Sequence, residues 1–306
     1  MMINRLSDLA IAAKEKDKKT VVAVVEAHDE HTVESVVNAA NDGFMHPIFI
    51  GDIMRIREHL TELGAYPLDY EMIYSDNSRD SLINAIGLIQ AGEAGALMKG
   101  SVNTQEFLKA VLNDRNGLLS GGRLSLAGLF ETPNYHKLFA VSDMGLNSYP
   151  DFECKRAIVE NAVQMLNTLG NPHVKVAVLA AIERVNPKMP DTVDANALKM
   201  MNQNDKIKNC VIEGPISFDL ATSAEAARIK GFDSPVAGDA DLLIVPDIVT
   251  GNILAKCLTG MAGAQTAGAV LGAKVPIILT SRSATASDKY YSIALAVILE
   301  NVECRM

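Results

Sequence analysis

Short apolar runs rich in Val and Ile recur along this chain, each followed by a segment of helical periodicity. That alternation limits the fold more than any other feature. Residues 20–26 (TVVAVVE) are β-branched and continuous, the pattern of a strand buried on both faces. Residues 29–41 follow with Val33, Val36, Val37 and Ala40 at helical spacing. Residues 47–51 read as the next strand, 53–63 as a helix, 70–74 as a strand, 78–91 as a helix and 94–98 as a strand. Strands alternating with helices predict an α/β fold with crossover connections and mainly parallel sheets. Such sheets bind ligands beyond the carboxyl ends of their strands, so the loops that follow strands are where a site belongs.

The rhythm loosens over 113–149, where Gly117, Gly121, Gly122, Gly128 and Pro133 interrupt it and only 138–141 reads as a strand. An irregular segment of about 35 residues is unusual inside one domain. With 306 residues, enough for about two domains, it predicts a crossing into a second domain near residue 130. The alternation then returns: helix 153–169 stopped by Gly170, strand 174–181, helix 195–203, strand 210–213, helix 221–230, strand 241–245, helix 252–262, strand 275–280 and helix 288–301.

Composition removes several classes of function. The chain is 48% hydrophobic and 21% charged, which excludes disorder. There is no Trp, and 8 Phe with 7 Tyr leave an aliphatic core and no aromatic platform for stacking bases. A net charge of −9 excludes a general nucleic-acid binder, though not a local basic pocket for a small anion. Cys154, Cys210, Cys257 and Cys304 are widely spaced with no C-x-x-C pair, the pattern of reduced thiols rather than of a zinc site or a disulfide framework. The six histidines form no H-x-x-x-H pair, so no metal is expected. The apolar stripe over 1–13 is broken by Arg5 and Asp8, and no apolar run approaches the ~20 residues that span a bilayer. The expectation is a cytoplasmic protein with no membrane partner.

Four strand-end loops carry groups able to do chemistry. The apolar stretch 275–280 runs into Ser281 and Arg282, and a helix starts near Asp288. Backbone amides at a helix start attract anions, and a guanidinium fits phosphate or carboxylate bidentately; Asp288 is equally a helix cap. Pro246–Asn252 ends another strand, with Gly251-Asn252 before a helix as a close-approach turn or an Asn cap. Lys99-Gly100-Ser101 ends a third strand, with Thr104 suited to a helix start. Arg123 sits in the irregular segment, where a second domain would face the first. No G-x-x-x-x-G-K-[ST], no G-x-G-x-x-G after the first strand and no G-x-S-x-G is present, which argues against a P-loop, a nicotinamide cofactor and a hydrolase elbow.

Taken together, several motifs resemble the phosphate acetyltransferase/butyryltransferase family. They are Gly214-Pro215-Ile216-Ser217-Phe218-Asp219, the run from Ser234 to Asp241, Pro246-Asp247 with Gly251-Asn252, and Thr280-Ser281-Arg282. Glu183 to Thr192, Gly272 to Pro276 and Ser292 to Ala296 resemble its butyryl branch. The resemblance implies a two-domain, isocitrate-dehydrogenase-like α/β fold, usually dimeric, with an inter-domain active-site cleft. The first domain would comprise 1–130 and about 275–306, the second about 131–274. It implies interconversion of acyl-CoA plus phosphate with acyl phosphate plus CoA, with CoA and phosphate as substrates and no cofactor. The nucleophile on the acyl phosphate is a thiolate, which calls for a base, an oxyanion donor and an anion clamp.

In phosphotransacetylases an S-R pair with an Asp seven residues after the Ser fills these roles, matching Ser281, Arg282 and Asp288. Arg123 resembles a second phosphate-binding arginine, and Lys99, Ser101, Gly251 and Asn252 complete the expected substrate contacts. Phosphate butyryltransferases often read S-R-A-D-S in this loop, whereas Ala284 stands at that Asp position here. The base is then Asp288 alone or a group elsewhere. Butyryl-CoA or a similar short or branched acyl-CoA is the leading substrate and acetyl-CoA the alternative. A dehydrogenase of related fold and a non-catalytic acyl-CoA-binding protein are the other classes.

Overall fold

The structure, a computed structural model, describes residues 2–300. Cys304 and the expected helix end at Asn301 lie outside the described residues. The chain divides into two compact units. One is Ser7–Gly122 with the chain from Ala267 onward; the other is Arg123–Thr266 with the N-terminal residues up to Leu6.

Helix α1 (Leu6–Lys14) leads into the first unit. There β1 (Thr20–Val25), α2 (Glu30–Asn41), β2 (Met45–Gly51), α3 (Ile53–Glu62), β3 (Glu71–Tyr74), α4 (Ser78–Gln90), β4 (Ala96–Lys99) and α5 (Thr104–Val111) follow the predicted alternation. The helices begin where an Asx side chain accepts from the first-turn amides: Asp29 before α2, Asp52 before α3, Asn77 before α4 and Asn103 before α5.

The second unit contains β5 (Ser125–Glu131), β6 (Phe139–Ser142), α6 (Phe152–Thr168), β7 (Val174–Leu179), α7 (Pro190–Gln203), β8 (Cys210–Ile216), α8 (Phe218–Thr222), α9 (Ala224–Lys230), β9 (Leu242–Ile244) and α10 (Ile248–Gly260). The chain then supplies β10 (Gln265–Leu271), β11 (Ile277–Ile278) and α11 (Ala286–Leu299), the last two in the first unit.

In the first unit, which β10 enters from Ala267, the strand order is β3-β2-β1-β4-β11-β10, parallel except for the β10–β11 pair. In the second it is β5-β6-β9-β7-β8, parallel except for β5–β6. The expected α/β class with mainly parallel sheets is what the chain adopts. Its central strands, such as β1 with Val22 to Val25 fully buried, carry the continuous apolar runs that two-sided burial requires.

Local readings change at several elements; α7, for one, starts at Pro190, five residues ahead of the predicted 195. Strand β5 occupies part of the stretch read as irregular. Gly128 does not break it: a Cβ there would lie 2.4 Å from Met144 Cε, so the glycine makes room for that side chain. Strand β10 was not anticipated, and β11 is only two residues long. The single helix expected over 221–230 is two, because Ser223 adopts an extended conformation (φ −131°, ψ 110°) and caps α9. Helix α10 starts at Ile248 behind Asp247, four residues earlier than predicted, so Gly251 lies inside the helix and not in the loop before it.

Candidate active site

In the first unit the chain leaves β1 toward β2 on one side and reaches β4 on the other. The carboxyl ends of β1 and β4 therefore flank a topological switch point, the place where open α/β sheets take ligands. Register brings a third strand end beside them. Val25 pairs with Lys99 across β1–β4, and Ile278 pairs with Met98 across β11–β4. The loops that follow, at Glu26–Asp29, Lys99–Ser101 and Leu279–Arg282, thus leave from one end of three neighbouring strands.

Gly100 is held between them, its amide donating to Val25 O (2.8 Å) and that of Ser101 to Glu26 O (2.7 Å). A Cβ at Gly100 would stand 2.3 Å from Glu26 O, so only glycine lets the two backbones come this close.

Lys99 is 2% exposed, and its Nζ donates to Gly100 O at 3.0 Å. Burial pushes its ammonium below the usual lysine range; Arg282 and Lys289 push the same way, against Asp29 and Glu26. Asp29 is a second centre. Its Oδ1 accepts from Thr32 N (2.9 Å) and Lys289 Nζ (3.0 Å), and its Oδ2 from Thr32 Oγ1 (2.7 Å) and Ser101 Oγ (3.3 Å). Burial opposes its ionisation, but the hydrogen bonds from Thr32 and Lys289 outweigh it and hold the carboxyl below its ordinary value. Lys289, 3% exposed, also donates to Thr32 Oγ1 at 2.7 Å.

The Ser281–Thr285 loop precedes α11. Ser281 and Arg282 are exposed, and Ser281 Oγ stands 3.0 Å from Ser283 Oγ. Asp288 closes a capping box. Its amide donates to Thr285 Oγ1 (3.1 Å), and its Oδ2 accepts from Thr285 N (3.1 Å) and Thr285 Oγ1 (2.8 Å). The carboxylate that completes the Thr285 capping box is also the expected base.

Arg123, Gly251 and Asn252 belong to the second unit. Arg123 and Asn252 are exposed. The backbone that carries Arg123 is fastened by two amides: Asn161 Nδ2 donates to Arg123 O (2.8 Å) and Asn147 Nδ2 to Leu124 O (2.8 Å). Asn147 is itself held by Asp143, which is 2% exposed and accepts from the amides of Gly145, Leu146 and Asn147. Burial raises the Asp143 carboxyl despite those bonds. Gly251 is packed on the chain itself, since a Cβ would lie 2.4 Å from Asp143 O. Among the described residues no group of three or more His, Cys, Asp and Glu is arranged to hold a metal ion.

The structure therefore brings Lys99, Ser101 and Arg282 of the predicted set into one neighbourhood. It adds Asp29, Thr32 and Lys289, which sequence reasoning missed. Asp29 is visible in sequence only as a helix-cap residue, and Lys289 as a lysine beside Asp288 in the first turn of a helix.

The sequence matches the family described as "Phosphate acetyl/butaryl transferase" over residues 64–297. It is 37% identical over 298 residues to the phosphate butyryltransferase of Clostridium acetobutylicum, covering 97% of this chain and 99% of that one. It is 39% identical over 296 residues to the phosphate acetyltransferase of Thermotoga maritima, covering 96% and 99%. Among solved structures, a branched-chain phosphotransacylase from Enterococcus faecalis V583 is similar at a TM-score of 0.80 and 32% identity, over 92% of this chain and 99% of that one.

Proposed function

The chain belongs to the phosphate acetyl/butyryl transferase family and is an acyltransferase interconverting acyl-CoA plus phosphate with acyl phosphate plus CoA; we propose that it prefers butyryl-CoA or a similarly short or branched acyl-CoA. Support comes from the butyryl-type segments at Glu183–Thr192, Gly272–Pro276 and Ser292–Ala296, and from the likeness to a branched-chain phosphotransacylase. The acetyl alternative is carried by the Thermotoga relative, which is as similar as the butyryl one.

In the proposed mechanism Asp288 takes the proton of the CoA thiol, and the thiolate sulfur attacks the carbonyl carbon of the acyl phosphate. Ser281 donates to the oxyanion of the tetrahedral intermediate, the C–O bond to phosphate breaks, and Arg282 holds the departing phosphate. Lys99 and Ser101 complete that end of the site, and Arg123, Gly251 and Asn252 are proposed as further substrate contacts. The observation that carries this reading is the register of β4 and β11, which makes the Lys99 and Arg282 loops neighbours beside the switch point. The cytoplasm is the proposed location and a homodimer or higher homo-oligomer the proposed assembly.

The test is thiol release from acyl-CoAs of two to six carbons, with phosphate as acceptor. The expected result is phosphate-dependent release with a maximum at butyryl or a branched chain. Equal rates on acetyl- and butyryl-CoA would sink the chain preference. Release independent of phosphate would sink the mechanism.

A further inference from the structure

Lys99 is a feature of the first unit that the fold alone does not account for. Its ammonium is buried at the end of β4, where it donates to the carbonyl of its own neighbour, Gly100, and forms no ion pair among the described residues. An unpaired buried charge is costly unless a counter-ion arrives.

Carboxylates stand near it, but none among the described residues forms an ion pair with it. Arg282 faces it from the loop before α11, Lys289 from α11, Asp29 from the start of α2 and Glu26 from the end of β1. Asp29 is already committed to Lys289 at 3.0 Å. Three cations therefore stand against two carboxylates, and one positive charge is left over at a ligand-binding end of the sheet. A small anion supplies the missing charge.

We propose that Lys99 is the ammonium that neutralises the inorganic phosphate of the reaction, beside Arg282. The inference rests on the acyltransferase reading and deepens it by assigning this buried side chain to the phosphate subsite. Without phosphate, the buried ammonium is disfavoured by desolvation and by its two cationic neighbours, so part of the population sheds its proton as pH rises. A bound phosphate dianion restores the charged form, and the site takes up a proton from solvent. Because the pKa is lowered in the free protein, the binding-competent form is complete at low pH and is lost as pH rises through that lowered pKa. The Michaelis constant for phosphate then climbs on the alkaline side, beyond what phosphate's own titration produces.

The experiment measures KM for inorganic phosphate and kcat between about pH 6 and 9.5 for the wild type, Lys99→Met and Lys99→Arg, with folding checked by circular dichroism. Wild-type turnover in the same series reports on the acyltransferase reading separately. Lys99→Met is expected to raise KM for phosphate by about tenfold or more, the loss of one charge-assisted contact, and to abolish the alkaline climb. Lys99→Arg, whose charge does not titrate in this range, is expected to flatten the climb while keeping measurable affinity. The inference is overturned if Lys99→Met binds phosphate within twofold of the wild type, or if it loses kcat alone with KM unchanged. Should Lys99→Met fail to fold, an alkaline climb that survives in Lys99→Arg overturns it equally.

Discussion

Asp288 is the N3 carboxylate of the Thr285 capping box and is proposed as a base, and the two roles differ in what they cost when lost. The carboxylate accepts from Thr285 N at 3.1 Å and Thr285 Oγ1 at 2.8 Å while its own amide donates back to Thr285 Oγ1. A helix cap is worth about 1 kcal/mol, which in a chain of this size moves the melting temperature by about 2 °C. General-base catalysis is worth about 10²–10⁴-fold in rate, or about 3–5 kcal/mol of barrier.

Asp288→Asn separates the two, because the amide oxygen still accepts from Thr285 whereas the side chain no longer takes a proton. The expected outcome is a melting temperature within about 2 °C of wild type and a kcat for thioester formation from butyryl phosphate and CoA lowered at least about 100-fold. Thr285→Ala gives the opposite signature: it removes the hydroxyl from the cap, costs about 1 kcal/mol of stability and leaves kcat within a few fold. Turnover and pH profile near wild type in Asp288→Asn would refute the base assignment and leave Asp288 a capping-box residue only. Equal losses of kcat in both variants would show that loop geometry, not proton transfer, sets the rate.

Two further outcomes follow from the packing. Asp29, with its carboxyl held below the ordinary value by Thr32 and Lys289, stabilises the fold above its unfolded pKa of about 3.9 and stops doing so as pH falls through the lower folded value. The stability gap between wild type and Asp29→Asn is expected to be full at pH 6 and to shrink below about pH 4; a gap that does not change with pH in thermal melts counts against the ion pair. Gly251→Ala forces a methyl group to within 2.4 Å of Asp143 O inside α10 and is expected to cost about 1–3 kcal/mol in urea unfolding, with an unchanged midpoint as the contrary result.

Much of the fold was legible in the sequence because its signals are local. The β-branched run of β1 and the 3.6-residue spacing of α2 each report on their own few neighbours. The errors came where a distant residue decides. Gly128 reads as a breaker until Met144 is seen filling the space that a side chain would need. The start of α10 was misread because Gly251-Asn252 resembles a turn, whereas Asp247 caps the helix four residues earlier and Asp143 O occupies the room beside the glycine. Of the site, Ser281, Arg282 and Asp288 were visible as a polar loop between an apolar strand and a helix. Asp29, Thr32 and Lys289 were not, since Asp29 and Lys289 are 260 positions apart.

The amino-acid sequence by itself determined that this chain alternates buried strands with amphipathic helices, and therefore that its chemistry belongs in loops after strands. Periodicity of apolar residues is a property of the segment that carries it, and no fold is needed to see it. The tertiary structure alone decided which of those loops share an end. Parallel pairing of β4 with both β1 and β11 placed Lys99 among Arg282, Lys289, Asp29 and Glu26, and burial there left one positive charge without a partner. The cost of a buried charge depends on the dielectric and the charges around it, and those come from residues that only the folded chain brings together.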